Sequence, residues 1–109
     1  MKKKLSPLLA AFVAAQNAHD SAAFLTCFSH DAIVHDEGHS HKGASAIKAW
    51  FEEVSRKYRT LLEVTDIATH DGETILTGNI SGNFEGSPFP LRYRMTLSDG
   101  KITAMKITP

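Results

Sequence analysis

The sequence has only one cysteine, Cys27, among its 109 residues. A single cysteine cannot form a disulfide within the chain, so nothing marks an oxidising compartment, and we predict that Cys27 is a small buried apolar residue. Neither sign of charge is in excess, because acids and bases balance to a formal net charge of zero. A nucleic-acid-binding module normally carries a basic excess on one face, so nucleic acid is not an expected partner.

The sequence also lacks an apolar run long enough to span a bilayer, so no membrane partner is expected. Lys2, Lys3 and Lys4 precede an apolar stretch, which is the order found in a signal peptide. Against this alternative, Ser6 and Pro7 are typical of a helix start, and the apolar residues that follow have amphipathic helix spacing. We therefore interpret the stretch as a structural helix and expect a cytoplasmic protein.

The length suits one domain with a single core, spanning residues 1–109. Apolar residues at helical spacing predict helices over residues 7–18, 20–28 and 43–58. A short apolar strand at residues 32–34 separates the second helix from the third. The N-terminal half is therefore predicted to be mainly helical.

From residue 61 the apolar period changes to two, which predicts strands at residues 61–69, 73–85, 89–97 and 101–108. Asp-Gly pairs between these strands are hairpin turn signals, and glycines inside the long strand indicate bulges or curvature. The pattern predicts an α+β domain with helices packed on a curved antiparallel sheet. The strand over 73–85 is apolar on both sides, so we expect a homodimer that forms through the open face of the sheet.

The stretch from Asp31 to Gly43 holds the densest set of groups that can move protons, and it is the first candidate for an active site. It includes His35, His39 and His41 beside Asp36, and we expect His39 and His41 to lie in a loop that follows the short strand. Three imidazoles and a carboxylate can also bind zinc, but this spacing matches no established zinc motif. Strand alternation also places His35 on the side opposite Asp36. We therefore predict no metal ligands.

Several phrases of the sequence carry a family resemblance. They are Asn17-Ala-His-Asp20, the run from Phe28 to Asp36, Lys42-Gly43 ahead of a tryptophan-containing helix, and the closing Asp99-Gly-Lys-Ile102. In this order they resemble the nuclear transport factor 2-like superfamily, in particular its SnoaL-like and ketosteroid-isomerase-like branch. The resemblance implies a single SnoaL-like domain, folded as a cone-shaped α+β barrel. In it, three N-terminal helices pack on a curved, mainly antiparallel sheet and enclose an apolar pocket.

The resemblance also implies roles for individual residues. In ketosteroid isomerases a carboxylate at the end of the first strand moves a proton next to a carbonyl, and Asp36 matches it. Phe12 stands where those enzymes have the tyrosine that hydrogen-bonds the developing enolate, and Phe51 stands where they have its supporting tyrosine. Tyr93 matches the position of the second oxyanion donor. Ketosteroid isomerase activity itself is therefore not expected.

We predict a cofactor-independent isomerase, dehydratase or cyclase with Asp36 as general base, Tyr93 as hydrogen-bond donor and His39 or His41 assisting. The expected partner is a small hydrophobic molecule. The residues expected to contact it are Phe12, Val34, Trp50, Phe51 and Tyr58. Three alternatives stay open. The first is a non-catalytic ligand-binding or dimerisation module of the same fold, and the second is metal-dependent chemistry in the histidine-rich loop. The third is an Asp36 that merely caps a turn or pairs with Arg92 or Arg94.

Overall fold

The computed structural model describes residues 5–109, so the three lysines of the signal-peptide alternative lie outside the described residues. Three helices and six strands form within this range. They are α1 (Pro7–Ala18), α2 (Ser21–Leu25), β1 (Phe28–Asp36), β2 (His39–Lys42), α3 (Ala44–Tyr58), β3 (Leu61–His70), β4 (Glu73–Ser81), β5 (Phe89–Ser98) and β6 (Lys101–Thr108). None of these helices is long and apolar enough to cross a membrane.

The six strands form one sheet in the order β2-β1-β6-β5-β4-β3. β1 and β6 are parallel neighbours, and every other neighbouring pair is antiparallel. The predicted α+β class with a mainly antiparallel sheet is confirmed. The sheet is open, with β2 and β3 as its two edges.

Local signals account for the helix starts. Pro7 opens α1, and the Ser6 hydroxyl accepts a hydrogen bond from the Leu9 amide at 3.3 Å. The Asp20 carboxylate caps α2 by accepting from the Ala23 amide at 3.1 Å. The prediction that this second helix extends through residue 28 is wrong. Phe28 pairs with β6 as the first residue of β1, and this long-range strand pairing overrides the local helical spacing.

The stretch chosen from the sequence folds as a hairpin rather than as a strand followed by a loop. Glu37 and Gly38 form its two-residue turn, with φ of 52° and 78°. Positive φ at both positions is typical of the type I′ turn, whose twist matches that of the flanking strands. The placement of His39 and His41 in a loop is therefore wrong, because both lie on β2.

The long strand predicted at 73–85 ends earlier, at Ser81, where the chain crosses the end of α3. The Asn83 amide donates to the Tyr58 carbonyl at 2.7 Å. A Cβ at Gly82 would lie 2.5 Å from that same carbonyl oxygen, so only glycine fits this crossing. The strand therefore gives way to a loop that stays close to the C-terminus of α3.

Three polar residues near the C-terminus of α1 attach that helix to the start of β3. The Asn17 side chain donates to the Leu62 carbonyl at 3.0 Å and accepts from the Leu62 amide at 2.7 Å. Gln16 donates to the Thr60 hydroxyl at 2.9 Å, and the His19 ring lies 2.6 Å from the Thr60 carbonyl oxygen. We call this set of contacts the α1–β3 latch. It fixes α1 over one side of the sheet.

The core lies between the helices and the inner face of the sheet. Its buried apolar residues come from all three helices and from β1, β3, β4, β5 and β6. Residues with no exposed surface include Phe12, Val34, Ile47, Leu76 and Met95. Cys27 is buried and free, as the sequence predicts. The inner face is thus closed along most of its length, except where a cavity opens.

Candidate active site

A cavity of about 550 Å³ lies between the helices and the inner face of the sheet. Its volume falls in the range typical of small-molecule sites. Eight of the nine aromatic residues of the chain line it. Five come from the helices, namely Phe12, Phe24, Trp50, Phe51 and Tyr58, and three come from the sheet side, namely Phe84, Phe89 and Tyr93.

The strand register aligns Asp36 and Tyr93 across the sheet wall of this cavity. Tyr93 pairs with Ile107, and His35 pairs with Lys106, so Asp36 continues the row on the far side of Ile107. Neighbouring strands are about 4.8 Å apart, which puts the two Cα atoms about 10 Å from each other. Both side chains face the cavity, with one residue between them.

Asp36 is half-buried at the end of β1, where Trp50 on α3 reaches it. The Trp50 indole Nε1–H donates to the Asp36 carboxylate at 3.1 Å. Burial raises the pKa of Asp36 above the ordinary aspartate value, and the charge of Glu37 adds to this increase. The Trp50 hydrogen bond and the charges of His41 and His39 act in the opposite direction. A carboxylate with a raised pKa is a better proton acceptor at neutral pH.

Tyr93 is 4% exposed, and its ring packs edge-on against Phe12 with centroids 5.9 Å apart. No other residue in the range 5–109 hydrogen-bonds its hydroxyl. Burial raises the pKa of Tyr93 above its ordinary value, and the charge of Asp36 adds to the effect. The phenol therefore keeps its proton and can donate a hydrogen bond into the cavity.

The two histidines of β2 lie beside the cavity but are not among the residues that line it. The His41 ring stacks on the Trp50 indole, with centroids 5.6 Å apart and an interplanar angle of 27°. His39 pairs with Asp36 across the hairpin and is exposed. His41 thus contacts Trp50, which in turn donates a hydrogen bond to Asp36. His39 is exposed to solvent.

The remaining predicted contact residues fall in two places. Phe12, Trp50, Phe51 and Tyr58 line the cavity. Val34 shares the inner face of β1 with Asp36, but it is not among the residues that line the cavity and lies in the core. Neither arginine offered as an alternative partner binds Asp36 in the described hydrogen bonds, and Arg94 instead pairs with Glu73 at 3.6 Å.

Sequence reasoning missed the buried polar pair Gln16 and Thr60, both of which line the cavity. A signal for Gln16 was present, because it lies four residues after Phe12 and so falls on the apolar stripe of α1. Thr60, Phe84 and Ile107 gave no comparable signal. Their places at the cavity depend on how the loops and strands meet.

No three His, Cys, Asp or Glu side chains in the described part of the chain come together as a possible metal site. His35 lies on the outer face of β1, where its ring is 2.8 Å from the Ser40 hydroxyl. The hairpin geometry therefore separates the imidazoles that the zinc alternative would bring together.

Two further acids line the cavity. Glu37 belongs to the β1–β2 turn and Glu85 follows β4, and both are exposed. We call these two residues the acidic rim, because exposed lining residues lie where the cavity opens to solvent. No lysine, arginine or histidine is among the described residues that line the cavity.

The SnoaL-like domain family matches residues 9–105 of the chain. No curated protein is similar to it. Among solved structures, a candidate polyketide cyclase from Sinorhizobium meliloti is 29% identical with a TM-score of 0.90, and the match covers 95% of each chain. A candidate polyketide cyclase from Pseudomonas putida is 23% identical with a TM-score of 0.80, over 99% of this chain and 92% of that one.

A third solved structure supports the fold alone. It is a Catenulispora acidiphila protein with a ketosteroid isomerase-like fold, in complex with trimethylamine. It is 17% identical to this chain with a TM-score of 0.84, over 97% of this chain and 87% of that one.

Proposed function

Because the chain belongs to the SnoaL-like domain family, we propose that its cavity binds a compact, largely hydrophobic small molecule and that Asp36 acts on it as a general base. The reaction class is a cofactor-independent isomerisation, dehydration or cyclisation. Within this proposal the sheet curves around the cavity as the wall of a cone, and a second copy of the chain covers its outer face.

The main support for this proposal is that Asp36 and Tyr93 line the same cavity. Asp36 has a raised pKa and serves as the proton acceptor. Tyr93 keeps its proton, and its hydroxyl has no partner among the described residues. A base and a hydrogen-bond donor on either side of a carbonyl compound are the minimum needed to form an enolate. Apolar walls exclude water and strengthen both interactions.

The proposed first step transfers a proton from a carbon next to a carbonyl to the Asp36 carboxylate. The electron pair of that C–H bond forms the enolate, and its oxygen accepts a hydrogen bond from the Tyr93 hydroxyl. Return of the proton to another carbon completes an isomerisation. Attack of the enolate carbon on a second carbonyl, whose oxygen then takes the proton from Asp36, completes a cyclisation. Expulsion of a hydroxyl group as water, with the proton from Asp36, completes a dehydration.

The similarity to the Sinorhizobium meliloti candidate cyclase supports the carbonyl chemistry, since cyclisation of a polyketide begins with the same enolate. In our proposal, His41 assists by holding the Trp50 indole against Asp36, because its ring stacks on that indole. His39 assists from the solvent side, because its charge favours the deprotonated Asp36 carboxylate, which is the form that accepts a proton.

The test is carbon-bound hydrogen exchange, which needs no knowledge of the natural substrate. We propose to incubate the protein with 2-tetralone in D₂O and to follow deuterium uptake next to the carbonyl by NMR. The wild-type chain is expected to accelerate the exchange. Asp36→Asn is expected to abolish the acceleration, and Tyr93→Phe to reduce it about tenfold or more, because one donor to the oxyanion is lost.

Asp31→Asn is the matched control, because Asp31 lies on the same strand as Asp36 but is exposed. It should exchange like the wild type. Equal exchange in Asp36→Asn and the wild type would refute Asp36 as the base.

One observation favours the alternative of a non-catalytic binding module. Phe12 and Phe51 contribute no hydroxyl to the cavity, so Tyr93 would stabilise an oxyanion without a second phenol. Saturable binding of 2-tetralone without any exchange would support this alternative.

A further inference from the structure

Among residues 5–109, the charged side chains that line the cavity are all acidic, although the whole chain is neutral. Asp36 and the acidic rim of Glu37 and Glu85 are the charged residues that line it. Lys57 lies near the wall, with its Nζ 5.2 Å from the centroid of the Tyr58 ring, but this lysine is exposed. His41 lies behind Trp50 and does not line the cavity. A ligand inside the cavity therefore contacts carboxylates and no basic side chain among the described lining residues.

The walls behind the rim suit a positive charge as well. Aromatic faces attract ammonium groups, most strongly where water is excluded, and Trp50 and Tyr58 are the aromatic types that bind cations well. Tyr93 is 4% exposed and lines the cavity, and its hydroxyl, which has no partner among the described residues, adds a polar contact deeper in. Carboxylates and aromatic rings together form a site for an organic cation.

We propose that the ligand of this cavity is a small organic cation: an ammonium group lies at the acidic rim and an apolar body extends among the aromatic rings toward Asp36. This inference rests on the proposed function only in taking the cavity as the ligand site. The inference specifies that the substrate is positively charged, and it assigns Glu37 and Glu85 as the residues that select for that charge. Anionic substrates, including phosphate-bearing carriers, are excluded by the same three carboxylates.

Three probes of similar shape and different charge test the proposal. Benzyltrimethylammonium is the cation, neopentylbenzene is its neutral isostere, and phenylacetate is an anion. Binding is followed through the fluorescence of Trp50, the only tryptophan of the chain. We expect the cation to bind at least about tenfold more tightly than the neutral isostere and the anion not to bind, with an advantage that shrinks at high salt.

The variant Glu37→Gln/Glu85→Gln removes the charge of the rim and leaves its shape. We expect it to weaken binding of the cation about tenfold and to leave the neutral isostere unchanged. Asp31→Asn/Glu63→Gln makes the same change in net charge on exposed residues that do not line the cavity, and it should bind all three probes like the wild type.

The outcomes separate the two proposals. If the neutral isostere binds as tightly as the cation, or if the rim variant leaves cation binding unchanged, the inference is overturned while the cavity remains a ligand site. If none of the three probes binds, the ligand cavity itself is refuted, and the inference falls with it.

Discussion

Asp36 combines a contact with solvent, a hydrogen bond from Trp50 and a partly buried carboxylate. Burial raises the pKa of this carboxylate, so the charged form is less favourable in the folded state than in the unfolded chain. The residue therefore weakens the folded state at neutral pH, which is the usual consequence of keeping a reactive carboxylate in an apolar site.

This leads to a prediction about stability and pH. A group whose pKa is raised in the folded state costs stability as the pH rises from its unfolded value, about 3.9 for aspartate, through its folded value. Asn carries no charge, and its side-chain oxygen can still accept from Trp50. Asp36→Asn is therefore expected to unfold at a higher temperature than the wild type at pH 7.

Thermal unfolding followed by circular dichroism between pH 4 and pH 8 measures this difference. The difference in unfolding temperature between Asp36→Asn and the wild type should narrow toward pH 4. The exposed control Asp31→Asn should unfold at nearly the same temperature as the wild type. A variant less stable than the wild type at pH 7 would mean that the charged carboxylate stabilises the fold.

At the scale of elements, the position of α1 over the sheet depends on the α1–β3 latch. Asn17 satisfies both the amide and the carbonyl of Leu62 at the start of β3. Asn17→Ala leaves these two backbone groups without their partner, so we expect a loss of about 2 kcal/mol in the free energy of unfolding.

Urea unfolding measures that loss. Asn83→Ala is the control, because Asn83 is exposed and its backbone amide keeps its bond to Tyr58. A loss in Asn17→Ala no larger than that in the control would show that the latch contributes nothing to stability.

The elements also show where sequence reasoning succeeds and where it stops. α3 and the turns at Asp71-Gly72 and Asp99-Gly100 follow from local signals, and the structure has them where predicted. Local signals do not predict the end of α2, because the pairing of Phe28 with β6 determines it. They do not predict strand β2 either, because it follows a Glu-Gly turn that lacks the usual Asn or Asp.

The same distinction holds at the site. Asp36, Tyr93 and Trp50 were reached through the family resemblance, and the strand register then aligned the first two. The hydrogen bond from Trp50 to Asp36 could not be predicted, because it joins a helix and a strand whose relative position depends on the whole core. Thr60 and the acidic rim depend in the same way on where loops meet the cavity.

At the scale of the whole molecule, the outer face of the sheet is the surface that a second copy would cover. Ile75 lies on this face, on the side of β4 opposite the buried Leu76 and Ile80, and it is half-buried. We expect the chain to sediment as a particle of about 24 kDa, twice its mass of 11.9 kDa. Ile75→Asp should shift it to the monomer.

Analytical ultracentrifugation over a range of concentrations measures both species. Lys48→Glu, an exposed change on α3, is the control and should sediment like the wild type. A monomer at every concentration would refute the homodimer.

The proposed function depends most on Asp36 as a carboxylate that accepts protons inside a ligand cavity. The indole N–H of Trp50 donates to that carboxylate, so its NMR signal should respond to the protonation of Asp36. Its two-dimensional ¹H–¹⁵N NMR signal is unique in this chain, because there is one tryptophan. We would titrate that signal with pH, without and then with 2-tetralone, in the wild type, in Asp36→Asn and in His41→Phe. His41→Phe removes the stacked imidazole and keeps an aromatic ring beside Trp50.

We expect the Trp50 signal to titrate with an apparent pKa above the ordinary aspartate value and to change further when 2-tetralone is added. The pH titration should be lost in Asp36→Asn and should persist in His41→Phe. A titration at or below the ordinary aspartate value, or a signal that 2-tetralone leaves unmoved, would refute Asp36 as the base in a ligand cavity.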